Sequence, residues 1–222
     1  MTALTPILIT LKLAFFATLI LLAVGLPLAY WLAYTRQKWR PMVEAIISLP
    51  IVLPPTVLGF YLLLILSPNS GLGNWLDDLM GLRFVFTFEG LVLASMIYSL
   101  PFMVHPLQAG LIGIPRSLRE ASILLGKSTW TTFWRVLVPN MKPAIVTAIV
   151  LTFAHTIGEF GLVLMIGGSI PGVTKVASIA IYEEVEALNY SAAHILSGIL
   201  VVLSFFILLV IFIINSRYRR RS

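Results

Sequence analysis

The residues in this chain that could do acid–base, nucleophilic or metal chemistry are few and scattered. There is no cysteine, and the three histidines, His105, His155 and His194, fall in separate apolar segments with no His-Glu-x-x-His or comparable ligand spacing. Metal chemistry therefore lacks a ligand set, and no nucleophile, base and oxyanion donor converge along the sequence. The expectation is a chain with no catalytic residue, no metal and no cofactor. Gly126-Lys127-Ser128-Thr129 ends like a phosphate-binding loop, but such a loop needs a glycine five positions before Gly126, where Ala121 stands, and no apolar strand precedes it. One pair remains. Glu159 is the one acid deep within an apolar run and follows His155 by four residues, a spacing that puts both on one face of a helix. A carboxylate there is a functional candidate. A structural or gating role is expected, with Gly158 and Gly161 allowing close helix contact beside it.

The elements that must position these residues follow from composition. Of 222 residues, 59% are hydrophobic and 11% charged, with a mean hydropathy of +1.00, which excludes an ordinary soluble domain. Apolar runs long enough to cross a hydrocarbon core of about 30 Å recur along the chain, and in lipid each must satisfy its own backbone as a helix. The reading is an all-α, polytopic membrane protein forming one domain over 1–222, with five spans near 7–34, 43–66, 89–112, 143–166 and 191–214. The first run is too long for a secretory signal and lacks a basic leader and a small-residue cleavage site, so it is expected to stay as an anchor.

Charge sets the expected orientation. Taking the loops alternately, one side holds Arg36, Lys38, Arg40, Arg116, Arg119, Lys127, Arg135, Lys142, Arg217, Arg219, Arg220 and Arg221, twelve of the fifteen basic residues. The other side holds Arg83 and Lys175, with Lys12 at the outer end of the first span, and gathers Asp77, Asp78, Glu183, Glu184 and Glu186. The amino terminus is expected outside and the carboxyl terminus in the cytoplasm. The net charge of +6 is thus a topology signal and an attraction to anionic lipid, not a nucleic-acid footprint.

The longest cytoplasmic loop, 113–142, reads as a helix, a turn and a second helix. Ser117 and Glu120 have capping-box spacing, Gly126 suits a left-handed stop, and the apolar second half, with Phe133, Trp134 and Val136 to Val138, is expected to stop before Pro139. Taken alone this is also the pattern of an interfacial anchor, for which Trp130 and Trp134 would serve. From Glu120 the segment runs Glu-Ala-Ser-Ile-Leu-Leu-Gly, nine residues, then Val136-Leu137-Val138-Pro139. It resembles the signature loop of ABC importer permeases, E-A-A-x-x-x-G, nine residues, I-x-L-P, departing at Ser122, Val136 and Val138. The resemblance implies that this is the coupling helix, which docks on a separate ATPase subunit, with Glu120, Ala121, Gly126 and Pro139 as its coupling residues.

Further stretches resemble the oxyanion branch of that family. They are Leu49 to Gly59 with Pro50, Pro54 and Pro55, then Ser99-Leu100-Pro101-Phe102, Gly158-Glu159-Phe160-Gly161, and Ser169-Ile170-Pro171-Gly172-Val173-Thr174. Within the branch the last stretch and the short length look most like molybdate permeases. The resemblance implies a type I importer fold, a multi-pass homodimer in the bacterial cytoplasmic membrane, two cytoplasmic ABC ATPase subunits and an extracytoplasmic oxyanion-binding protein. It implies import of molybdate, with tungstate not distinguished. A sulfate or thiosulfate permease is the alternative, and an ion-coupled secondary transporter a more distant one, since the chain shows no internal repeat and one intramembrane acid. The residues add that three prolines must break the second span. Such breaks persist where buried or lining a polar path, so Ser48, Pro54, Pro55 and Thr56 join His155 and Glu159 as candidates for a pathway or gate. Packing, with hydroxyls bonded to their own backbone, is the competing account. Short interfacial helices are expected near 74–80 and 176–188.

Overall fold

The computed structural model describes residues 4–219, so Arg220 and Arg221 of the basic carboxyl-terminal cluster lie outside the described residues. Among these, every regular element is helical. Helix α1 (Thr5–Tyr34) buries Thr10, Leu13, Ala17, Leu21, Gly25 and Leu32, a stripe at helical spacing. It packs along α5 (Phe88–Ile112), which follows α2 (Arg40–Val52), α3 (Pro55–Leu66) and α4 (Gly71–Met80). Beyond α5 come the loop helices α6 (Arg116–Leu124) and α7 (Thr129–Thr132), a π-helical turn (Phe133–Leu137) and α8 (Val138–Asn140). The chain then forms α9 (Lys142–Ile157), α10 (Gly161–Gly167), α11 (Ala177–Glu186) and α12 (Tyr190–Arg219). The main core lies where α1, α5, the π turn and α9 meet, around Leu21, Leu32, Met103, Leu107, Leu111, Leu137 and Met141.

Three helices, Thr5–Tyr34, Phe88–Ile112 and Tyr190–Leu209, are each long and apolar enough to cross a membrane. The number reaches five if α2 with α3, and Thr129–Asn140 with α9, each count as one span. Two expected spans are therefore not continuous rods. The second bends by 114° between Val52 and Pro55, where Pro54 is extended at φ −54° and ψ 137° and neither Pro54 nor Pro55 has an N–H to give back to α2. The fourth stops at Ile157 rather than running to 166. Phe160 leaves the helical region at φ −132° and ψ −69°, and the Glu159 carbonyl accepts from the Ser178 hydroxyl at 2.5 Å instead of from a helical amide.

The loop departs from expectation at both ends. Ser117 does not cap α6, whose N-cap is Pro115 with no side-chain capping bond, so Glu120 completes no capping box. The second half does not stop before Pro139. The π turn shifts the hydrogen-bond register so that the Val138 N–H reaches the Phe133 carbonyl, and Pro139 sits in the first turn of α8, where no donor is needed. The Asn140 side-chain amide then donates to the Val136 carbonyl at 2.6 Å.

Short helices form near 74–80 and 176–188, where they were expected, as α4 and α11. The Ser70 hydroxyl caps α4 by accepting the Gly73 N–H at 2.9 Å. Arg83 bonds Asp77 at 2.8 Å, and Lys175 pairs with Glu183, which also accepts from Ser169. Arg83 and Lys175 are therefore each paired with a carboxylate. Partial burial alone would raise the Glu183 pKa, but the hydrogen bonds from Lys175 and Ser169 and the Lys175 charge outweigh it and hold the carboxyl below its ordinary value.

Candidate functional site

Two places carry polar or exposed features that the packing of a membrane protein does not require. The first is the loop. Gly126 has φ +71°, its N–H donates to the Ile123 carbonyl at 2.9 Å, and the Lys127 N–H donates to the Ser122 carbonyl at 3.1 Å. These are the two bonds of a Schellman stop. Ser128 then caps α7 by accepting the Thr131 N–H at 3.2 Å, so the sequence resembling a phosphate loop is a helix end followed by a helix start. The halves are tied by a buried hydroxyl pair, Ser122 Oγ and Thr132 Oγ1, 2.8 Å apart. Ser122 is one of the residues that depart from the family pattern.

The loop rests on the ends of the long helices. The Arg119 guanidinium lies 4.5 Å from the Tyr34 ring centroid, the Tyr34 hydroxyl donates to the Leu111 carbonyl at 3.2 Å, and Tyr30 meets Phe133 edge to face at 5.1 Å. On its free side Leu124 is 87% and Leu125 75% exposed, and Glu120, Ala121 and Pro139 are exposed as well. Apolar side chains so uncovered beside a rigid turn suit a docking surface.

The second place is buried. Glu159, its side chain 1% exposed, accepts from Ser95 Oγ at 2.5 Å and Ser99 Oγ at 2.9 Å. Ser99 Oγ also lies 2.9 Å from His155 Nδ1 and 3.0 Å from Thr156 Oγ1. His155 Nδ1 is 3.6 Å from Glu159 Oε1, a contact reached although Glu159 lies beyond the end of α9. The imidazole stacks on Phe102 at 4.0 Å and leans on Tyr98 at 4.7 Å. Beside it opens a cavity of about 490 Å³ whose lining includes Pro55, Thr56, Tyr98, His155, Glu159 and Gly161.

Of the six candidate pathway residues, the fold gathers Pro55, Thr56, His155 and Glu159 around this cavity. Gly161 is what admits Thr56, since a Cβ there would stand 2.9 Å from Thr56 Cγ2. Gly158 has no such neighbour, only its own turn's carbonyls at 3.6 Å or more, so the close approach rests on Gly161. Ser48 is elsewhere. Its hydroxyl donates to the Glu44 carbonyl at 2.7 Å and lies 3.0 Å from His105 Nε2, next to Glu44, which accepts from Gln108 at 2.6 Å and Arg40 at 2.9 Å. Pro54 forms the bend. Sequence reasoning missed Ser95 and named Ser99 only within a stretch resembling the family, although two serines four residues apart in an apolar helix carry the same one-face signal as His155 and Glu159. Among the described residues, no group of three or more His, Cys, Asp or Glu is placed to hold a metal ion.

Comparison with known proteins places these features in context. Residues 25–220 match the family described as binding-protein-dependent transport system inner membrane component. The molybdenum transport system permease protein ModB of Azotobacter vinelandii is 47% identical over 210 residues, covering 94% of this chain and 92% of the relative. A probable sulfate transport system permease protein, cysT, of Chlorokybus atmophyticus is 36% identical over 214 residues, covering 96% and 74%. In fold the chain is similar to a bacterial ABC transporter involved in the import of the acidic polysaccharide alginate, with a TM-score of 0.79 at 20% identity over 96% of this chain and 79% of that one.

Proposed function

Since this chain belongs to the binding-protein-dependent transport system inner membrane component family, we propose that it is the permease subunit of an ATP-driven importer that carries molybdate, and tungstate with it, into the cytoplasm. The similarity to a molybdenum permease over nearly both full lengths supports the substrate. The lower identity to a sulfate permease makes sulfate the second reading. The geometric observation that carries the mechanism is the loop: a helix stopped by Gly126, with Leu124 and Leu125 left uncovered next to Glu120 and Ala121. On this reading residues 113–142 form the coupling element within a single transmembrane domain spanning 1–222, and Glu120, Ala121, Gly126 and Pro139 present it to the ATPase.

ATP hydrolysis belongs to that partner, and this subunit is not itself catalytic. Two ATPase subunits bind the basic cytoplasmic face, and an extracytoplasmic binding protein delivers the anion on the acidic side. A homodimer follows from two considerations. One chain has too few helices to enclose a route, and α2 and α3 leave apolar residues such as Met42, Val52 and Tyr61 uncovered for a second copy to meet. The amino terminus faces outward and the carboxyl terminus the cytoplasm of a bacterial inner membrane.

The test is uptake of labelled molybdate into proteoliposomes holding this permease with its ATPase and loaded binding protein. Uptake should require ATP inside the ATPase compartment and be competed by tungstate but weakly by sulfate. Preferential sulfate uptake would support the second reading, and uptake driven by an ion gradient without the ATPase would overturn the importer assignment.

A further inference from the structure

The hydrogen bonds around Ser99 decide which atom of His155 faces the cavity. A hydroxyl has one proton to give and two lone pairs to accept with, and Ser99 Oγ is within 3.0 Å of three groups: Glu159 Oε1, His155 Nδ1 and Thr156 Oγ1. Two serine hydroxyls converge on the Glu159 oxygens, the arrangement an ionised, acceptor-only carboxylate takes. The Ser99 proton therefore goes to Glu159, and both Nδ1–H and the Thr156 hydroxyl donate into Ser99. This leaves Nε2 as the nitrogen of His155 with no protein partner among the described residues, on a side chain that is 21% exposed and lines the cavity. Protonation of Nε2 would give an imidazolium with Glu159 as counter-charge behind it, the carboxylate itself being 1% exposed and held by its hydroxyl donors.

Thr56 and Tyr98, which carry hydroxyls, also line the cavity, and Pro55 and Thr56 open the first turn of α3 there, after the break in the second span. Interrupted helices at membrane depth commonly turn such ends toward anions. Resting on the importer reading, we infer that this cavity is a transient subsite for a tetrahedral oxyanion on its way through the membrane. The anion is held by Nε2–H of the His155 imidazolium and by the Thr56 and Tyr98 hydroxyls, and Glu159 acts through His155 as a positioning residue. The sign of the expected anion–carboxylate interaction is thereby reversed: Glu159 supports the cation that meets the anion.

Two substitutions separate this role from a structural one, because a glutamine amide falls near the Nε2 position and an asparagine amide near Nδ1. In the assembled transporter in proteoliposomes, with molybdate as the probe, His155→Gln, which keeps a donor in the cavity but not the charge, should lose less uptake than His155→Asn. His155→Asn, which keeps the bond to Ser99 but removes the donor in the cavity, should lose on the order of tenfold, the worth of a hydrogen bond to a charged group. Asparagine performing as well as or better than glutamine would overturn the inference, as would equal loss or equal retention in both. If neither variant assembles with the ATPase, Tyr98→Phe decides, since it keeps the ring against His155 and removes one hydroxyl. Reduced uptake supports the subsite and unchanged uptake overturns it. Absence of molybdate uptake by the wild-type transporter would instead count against the importer reading, so the two failures are distinguishable.

Discussion

Replacing Ser99 by alanine removes the hydroxyl that links Glu159 to His155 and Thr156. Glu159 Oε1 and His155 Nδ1 would each lose a partner while remaining in the protein interior, and a buried group left unsatisfied costs ~1–3 kcal/mol. Ser99→Ala should therefore lower the thermal unfolding midpoint of the purified permease, and an unchanged midpoint would mean that water replaces the hydroxyl. A second residue-level expectation concerns pH. The Glu183 carboxyl is held below its ordinary pKa, so its pairing with Lys175 and Ser169 adds stability above the unfolded-state pKa. That contribution is lost as pH falls through the lower folded-state value. Wild type should melt above Glu183→Gln at neutral pH, and the gap should close only in acid below the usual carboxylate range. A gap independent of pH would assign the effect to shape rather than charge.

At the scale of the element, the loop over 113–142 owes its form to one backbone angle. Gly126 stands at φ +71° with open space where a Cβ would go, so Gly126→Val meets no neighbour and its cost is conformational, ~1–2 kcal/mol for a left-handed residue. The spans are untouched by it. The variant should insert normally yet retain less ATPase in a pull-down and give less hydrolysis when loaded binding protein is added. Glu120→Lys should act on the same readouts without destabilising α6, because Pro115, not a capping box, begins that helix. Full stimulated hydrolysis in both variants would reduce the loop to a membrane anchor.

For the whole molecule, the bend between α2 and α3 makes topology the decisive question. A 114° turn suits either a broken span, with its ends on opposite sides, or a re-entrant segment returning to the same side. The chain has no cysteine, so single cysteines report without background. Those at Lys38, Lys127 and Arg219 should be labelled from the cytoplasm only, and those at Asn74 and Glu184 from outside only. Labelling of Asn74 from the cytoplasm would make α2 and α3 re-entrant and remove one crossing.

The apolar segments and the helix–turn–helix loop were legible in the sequence because each depends on neighbouring residues. Hydropathy over a window selects a helix that can cross lipid, a proline removes its own donor, and Gly126 tolerates its own left-handed angle whatever surrounds it. The polar cluster was legible only as the pair His155 and Glu159. Its other half, Ser95 and Ser99, lies 60 or more positions away from Glu159 and meets it because α5 packs against α9. The stop at Ile157 was likewise decided by tertiary structure, since the Glu159 carbonyl takes a hydroxyl 19 residues further on in place of a helical amide. Where a buried polar group finds its partner depends on how whole helices cross, and local composition does not specify that crossing.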